Sequence, residues 1–384
     1  MAAQISVRAK ENRRISASRV DIPFLGLVLL LLTLGLVMLY SASYAQSEYD
    51  TGYEISTRYL QKQAVCAVIG LAAMFLFSRL PAALWYRFAW PLYGLSIVLL
   101  LSVLAVGEEV NGAKRWINLA GLQFQPSEIA KFTMILLFAR LTREFGQCAG
   151  KFRYGVLGFG AALLGILVPL ALEKHLSAIM LMGMVAVVMM YVAGTNPKWL
   201  LAGAAGAVVF LVVYVSLMGY AGDRITAWRH PELDPGDTGY QILQSLYAIG
   251  SGGLFGLGFG KSRQKYLYLP FQYNDYIFAI VCEELGLVGA LGIMALYAAL
   301  ILRGYRIALA ARDRFSTVLA AGLTTLIAVQ TVLNLCVVTN LLPSTGIALP
   351  FFSYGGTALA VNLGQMGIIL GISRQKTQKQ EANP

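Results

Sequence analysis

The sequence predicts an all-α integral membrane protein with about ten transmembrane helices, and three observations carry that prediction. Of its 384 residues, 58% are hydrophobic and only 13% charged. That is about half the charged share of an ordinary soluble domain, too little polar surface to cover a globule in water. Apolar runs of bilayer length recur along the chain. Lysine and arginine, which give a net charge of +11, collect in alternate connecting segments, as topology signals do.

Residues 1–22 read as a basic cytoplasmic segment, 23–374 as the membrane domain and 375–384 as a cytoplasmic tail. The first apolar run, 24–44, is too long for a signal-peptide core and is a first helix. Spans follow at about 63–78, 89–107, 126–141, 154–172, 176–196 and 199–219. Another runs from near Asp275 to about Leu302. The charge-free stretch 315–373 holds two more, with a turn at Leu341–Gly346. With both termini inside, Arg79 and Arg87, then Arg140, Arg143, Lys151 and Arg153, then Lys198, then Arg303 to Arg314, all fall in the cytoplasm. Three outer segments are also basic: Lys114-Arg115, Lys174-His175, and a large extracytoplasmic loop of about 220–274 between helices 7 and 8. Outer cations opposing the topology bias fit either an anionic ligand such as pyrophosphate or lipid headgroups. Residues 240–254 carry apolar side chains at helical intervals, which predicts an amphipathic helix lying on the membrane surface.

Several function classes fall away at once. No soluble basic domain is long enough to hold nucleic acid. Cys66, Cys148, Cys282 and Cys336 are scattered singly and read as small apolar residues. His175 and His230 are the only histidines, which leaves no zinc hydrolase.

Ionisable residues inside a span are costly and so are functional candidates. Glu128 and Lys131 are three apart on one helical face, placed either to pin the helix as an ion pair or to bind phosphate. Gln125-Pro126-Ser127-Glu128 reads as a helix start. The glycine-rich stretch 250–260 lacks the residues of a phosphate loop and reads as a tight turn on the membrane surface. Asp275 stands at the mouth of a helix, as a cap or as a general base at the water–lipid boundary. Glu283 and Glu284 lie two turns deeper.

These residues sit in motifs that resemble the FtsW/RodA/SpoVE (SEDS) family over about residues 20–374. The motifs are Asn111-Gly112-Ala113-Lys114-Arg115-Trp116, Gln125-Pro126-Ser127-Glu128-Ile129-Ala130-Lys131, Gly239-Tyr240-Gln241 with Gln244-Ser245, and Ala248 to Gly253. They continue with Asp275-Tyr276-Ile277-Phe278, Glu283-Glu284-Leu285-Gly286 and Leu349 to Gly356. The Gln330-x3-Asn334 pattern, Leu349-Pro350-Phe351-Phe352 and Ile372-Ser373-Arg374 resemble the division and sporulation branch. The resemblance implies a polymerase of peptidoglycan glycan strands in the bacterial cytoplasmic membrane, acting on lipid II and an undecaprenyl-linked chain. It implies Asp275 as the catalytic carboxylate and Lys131 as a further functional residue; Lys114, Arg115, Glu128 and Ser127 are expected beside Lys131 as substrate-binding residues. Glu173, Glu283, Glu284, Gln244 and Ser245 would support them, with a divalent cation, Mg2+ or Mn2+, as a further source of positive charge. Implied partners are a class B penicillin-binding transpeptidase and other septal proteins. His175 stands where the family often has an aspartate, so no acidic role passes to it. Rival expectations are a lipid II flippase and a non-catalytic scaffold for a transpeptidase.

Overall fold

The computed structural model describes residues 20–110, 113–119, 122–203, 205–206, 227–233 and 238–374. The described chain is largely helical. Helix α1 spans Ile22–Asp50, α2 Arg58–Phe77, α3 Ala82–Val106, α4 Pro126–Phe145, α5 Phe159–Leu172 and α6 Leu176–Val192. Then come α7 (Thr238–Ser251), which falls within the predicted loop of about 220–274, α8 (Ile277–Leu309), α9 (Arg314–Val338) and α10 (Gly356–Ser373). Seven helical segments among the described residues are long and apolar enough to cross a membrane, α5 counting with the π-helical turn Arg153–Gly158 before it. Helix α4 carries buried charges, and α6 is apolar but 17 residues long. Most of the predicted span at 199–219 lies outside the described residues.

Local sequence explains the ends. Asp21 caps α1 by accepting from Phe24 N at 3.0 Å, with Pro23 in the first turn. The same carboxylate accepts from Arg303 Nε at 3.0 Å, tying the C-terminal part of α8 to the start of α1. Asp313 caps α9 through Ser316 N.

The core is built around α9, which packs against α4, α6, α8 and α10. Helices α2 and α10 lie close together. A Cβ at Gly367 would stand 2.3 Å from Met74 O, so only glycine permits that approach.

Three features depart from the sequence reading. Residues 108–124 form a small antiparallel sheet, β1 (Glu108–Val110), β2 (Ala113–Leu119) and β3 (Leu122–Phe124), in the order β1-β2-β3. The predicted turn at 341–346 is the first part of a longer connection. Helix α9 ends at Val338 and α10 begins only at Gly356, so Leu349–Gly355 is loop. Its apolar side chains are buried by neighbouring helices, with Phe351 and Phe352 almost inaccessible. Finally, the amphipathic segment is a helix as expected, α7, but its buried face meets protein. Ile242, Ser245 and Ala248 point inward, α7 packs on α8, and Ser245 Oγ donates to Val338 O at 2.8 Å.

Helix α8 is broken. Gly286 has φ 69°, outside helical space, and the glycine-rich segment enters the break. Leu257 N and Gly258 N donate to Glu283 O and Glu284 O at 2.9 and 3.0 Å. Leu287 N and Val288 N donate back to Gly253 O and Leu254 O at 2.9 and 3.1 Å. The carbonyls and amides freed by the break are thus paired with another backbone, as burial demands. A Cβ on Gly256 would lie 2.1 Å from Glu284 O, which is why this strip is glycine.

Candidate functional site

Asp275 lies in the turn just before α8 and is half-buried. The N-cap position is occupied by Tyr276, which makes no side-chain cap hydrogen bond. The backbone around Asp275 is clamped from two sides. Asn334 of α9, fully buried, donates from Nδ2 to Asp275 O at 2.7 Å and to Ile347 O at 2.8 Å. Ser353 Oγ donates to Asn274 O at 2.7 Å, and Tyr354 N donates to Tyr273 O at 2.9 Å. The carboxylate itself lies over Gly346, where an added Cβ would stand 3.2 Å from Asp275 Oδ2. Buried Gln63 of α2 holds the same loop at both amide atoms, Nε2 to Ser353 O and Oε1 from Gly355 N, each 3.1 Å.

That loop also reaches the second candidate cluster. Thr357 Oγ1, at the start of α10, donates to Gln123 O at 2.8 Å and accepts from Gln125 N at 3.4 Å. Gln125 is the N-cap of α4, and Pro126 opens the helix as the sequence indicated. The segment Leu349–Thr357 therefore ties the turn bearing Asp275 to the helix start bearing Ser127, Glu128 and Lys131.

Lys131 and Glu128 form a buried ion pair of 2.7 Å. Around them the connection between α5 and α6 supplies two more buried polar groups, Glu173 and His175. Arg115 on β2 donates from Nη2 to Lys174 O at 2.5 Å, which fixes it to that connection. Burial pushes the Glu173 carboxyl up to about 8, against the pull of Arg115. Burial, with the charges of Arg115 and Lys131, pushes the His175 imidazole down to about 3. Lys114 is not brought in; it is exposed on β2, in register with Glu109.

Glu283 and Glu284 do not face this site. Both are buried and hold the segment 262–265. Glu283 accepts from Arg263 N at 2.9 Å, from Gln264 N at 3.4 Å and from the Ser262 hydroxyl. Glu284 accepts from Ser41 Oγ at 2.6 Å and pairs with Lys265 Nζ at 3.1 Å. Lys265 also reaches Gly260 O at 2.6 Å and Ser41 Oγ at 3.1 Å. Ser245 is spent on α9, as described above, and Gln244 is only partly buried beside it. The sequence reading missed Asn334 and Gln63 as holders of the site, and Lys265 as the partner of Glu284. Each is a buried polar residue, a signal that becomes visible only once burial is known.

Residues 23–378 match the FtsW/RodA/SpoVE family of cell cycle proteins. The chain belongs to this family. Among SEDS relatives, it is 39% identical to the "Probable peptidoglycan glycosyltransferase FtsW" of Geobacter sulfurreducens, over 92% of this chain and 95% of that one. It is 38% identical to the stage V sporulation protein E of Bacillus subtilis, over 92% and 97%. Among solved structures, it is similar to a chain of a peptidoglycan synthase complex that coordinates polymerization and crosslinking. The TM-score is 0.78 at 29% identity, covering 94% of this chain and 99% of the other. The rod shape determining protein RodA of Thermus thermophilus gives 0.69 at 29%, covering 94% and 98%. In this SEDS chain the described seven long apolar helices make a multi-pass membrane protein.

Proposed function

We propose that this chain polymerises peptidoglycan glycan strands on the outer face of the bacterial cytoplasmic membrane, in division or sporulation septum synthesis. It is a peptidoglycan glycosyltransferase, and the likeness over nearly its whole length to FtsW and SpoVE proteins carries that reading. The donor is a growing chain on undecaprenyl pyrophosphate and the acceptor is lipid II. The acceptor GlcNAc 4-hydroxyl attacks the donor MurNAc C1 and the pyrophosphate leaves, with inversion. Asp275 takes the hydroxyl proton. Its backbone is fixed by Asn334, Ser353 and Tyr354, so little reorganisation is needed at the moment of transfer. Lys131 and Arg115 stand where negative charge develops on the leaving group, with Glu128 orienting Lys131. Mg2+ or Mn2+ would arrive with the pyrophosphate. Mg2+ is commonly held by one or two carboxylates plus substrate phosphates, and Asp275 is the carboxylate that would hold it. The partner is a class B penicillin-binding transpeptidase, which cross-links the strands; a peptidoglycan synthase complex among the structural neighbours supports this.

The test is gel-resolved glycan from purified lipid II, at matched amounts of wild type, Asp275→Asn and Lys131→Met. Asp275→Asn is expected to lose roughly 10²–10⁴-fold, the usual contribution of a positioned base, while still binding its partner. Near-normal glycan from Asp275→Asn would remove the base, and no glycan and no transport from wild type would favour a scaffold. Transport without any glycan from wild type would favour a flippase. For orientation, single cysteines at 228–235 are expected to react with an impermeant thiol reagent in intact cells and those at 307–312 to stay silent.

A further inference from the structure

The turn bearing Asp275 is met on a further side by a group of tyrosines that the transfer reaction does not use. Tyr273, two residues before Asp275, lays its ring against Tyr59 in the first turn of α2, with centroids 4.5 Å apart and planes tilted by 39°. Tyr354 meets Tyr59 edge-on at 5.0 Å and Tyr273 at 5.9 Å. The phenol oxygens of Tyr59 and Tyr273 are 3.4 Å apart. The Tyr59 hydroxyl also bonds to Oδ2 of Asp50, the last residue of α1, whose other oxygen accepts from Gln46 Nε2 at 2.8 Å. All three rings are half-buried, while Asp50 is exposed.

Hydrogen bonding gives the group a direction. A carboxylate only accepts, so Tyr59 gives its one proton to Asp50. The contact between the two phenols is then made by the Tyr273 proton. The order runs from Tyr273 to Tyr59 to Asp50 and ends on a carboxylate, and bonds to carboxylates are the stronger kind. Tyrosines are common at a membrane–water boundary, with the ring in lipid and the phenol among headgroups. These rings instead face one another, and the Tyr59 phenol is spent on Asp50. A tyrosine has two side-chain torsions, so stacking plus a bound phenol fixes it at small entropic cost. Asn334, Ser353 and Tyr354 N fix carbonyl oxygens of 273–275. The tyrosine group fixes a side chain of the same turn, which opposes rotation of the turn about those bonds.

We infer that Tyr59, anchored by Asp50, is a positioning residue for the transfer reaction: acting through Tyr273, it holds the Asp275 carboxylate at the angle from which it meets the acceptor hydroxyl. The inference rests on the glycosyl-transfer reading and deepens it by linking the end of α1 and the start of α2 to the reacting group. Tyr59 touches no substrate in this role, so its loss acts on kcat and leaves KM alone. A misplacement of about 1 Å costs about 10²-fold. Losing one phenol bond while the ring stack stays in place allows a smaller shift, so a loss of about tenfold is expected.

The experiment measures initial rates of glycan formation against lipid II concentration, with the full chain in detergent. Tyr59→Phe keeps the stacked ring and removes the bond; kcat is expected to fall about tenfold, with KM within about twofold of wild type. Asp50→Ala, at an exposed position, is expected to lose as much. The double variant Tyr59→Phe/Asp50→Ala is expected to lose no more than either single, since the two residues act as one unit. Asp50→Asn keeps an acceptor oxygen and is expected to recover to within about threefold of wild type. Tyr53→Phe, at a residue 78% exposed on the same connection, is expected to keep the wild-type rate. An unchanged kcat in Tyr59→Phe would overturn the inference, and so would a lower yield of folded protein with kcat per folded molecule intact, the mark of a role in stability alone. A raised KM at constant kcat would also overturn it and make Tyr59 a substrate contact. Losses that multiply in the double variant, or an Asp50→Asn protein as slow as Asp50→Ala, would overturn it too. No glycan from wild type would instead sink the glycosyl-transfer reading, so the two failures are distinguishable.

Discussion

Replacing Lys265 by methionine is the sharpest test of how the outer loop is held. The ammonium sits among Gly260 O, Ser41 Oγ and Glu284 Oε1 at 2.6, 3.1 and 3.1 Å, with both side chains of the ion pair almost fully buried. Methionine keeps the apolar stem and removes the charge. Glu284 then stays buried with Ser41 Oγ and Ser262 N as donors and one oxygen, Oε2, without a partner. Breaking a buried pair by removing one member costs about 3–5 kcal/mol, because the remaining charge is uncompensated. Ser41 Oγ and Ser262 N still donate to the carboxylate, so we expect the lower end, about 3 kcal/mol. Glu284→Gln alone should cost about 2–3 kcal/mol, since it strands the ammonium beside two neutral oxygens. The double variant Lys265→Met/Glu284→Gln should recover about 2 kcal/mol relative to the sum of the singles, a coupling typical of residues in one network. The assay is denaturant unfolding in detergent, with expression and partner binding as controls. Single variants costing under about 1 kcal/mol, or a double variant that is simply additive, would refute the view that this pair pins the loop.

Three further predictions follow from geometry. Gly286→Ala meets Gly256 N at 2.3 Å from a left-handed backbone and should cost about 2–6 kcal/mol, strain plus overlap, whereas Gly292→Ala, with open space around it, should be neutral in the same unfolding assay. Asn334→Leu leaves Asp275 O and Ile347 O without their shared donor; it should lower stability by about 2–3 kcal/mol and glycan synthesis by about 10²-fold, because the turn bearing Asp275 shifts. The folded-state depression of His175 to about 3 means that its contribution is present above its ordinary value of 6.5 and is lost as pH falls from there towards 3. His175→Gln should therefore flatten the acid side of a melting-temperature profile, and an unchanged profile would count against a buried neutral imidazole.

What was legible in the sequence follows the range of the interactions involved. Hydropathy marks the long helices because the bilayer requires a fixed length of apolar residues. Pro126 and Glu128 announce the start of α4, and three-residue spacing announces the Glu128–Lys131 pair, because helix geometry is local. The segment 240–254 shows its helix by period. Its partner stayed hidden, because period cannot say whether an inward face meets lipid or α8. Glu283 and Glu284 looked like deep members of a site, yet their partners, Ser41 and Lys265, come from distant segments. The break at Gly286 was equally invisible, since one glycine in an apolar run is tolerated by a continuous helix. The short strands of 108–124 gave too few residues for an alternating pattern, and Leu349–Gly355 is apolar enough to pass for helix until its backbone partners are known.

The break in α8 also works as a ruler. From Leu285 to Leu302 the chain carries no charge, and 18 helical residues rise about 27 Å, close to the ~30 Å of hydrocarbon. Arg303, bound to Asp21, marks the inner edge. On the proposed orientation Gly286 then marks the outer edge, and the nine helical residues Ile277–Leu285 stand up to about 13 Å beyond it. A thinner or thicker bilayer acts on the lower segment, through tilt or snorkelling. The height of Asp275 above the break is fixed by backbone paired to backbone, so on the proposed function the elevation at which sugars are joined belongs to the protein and not to the lipid.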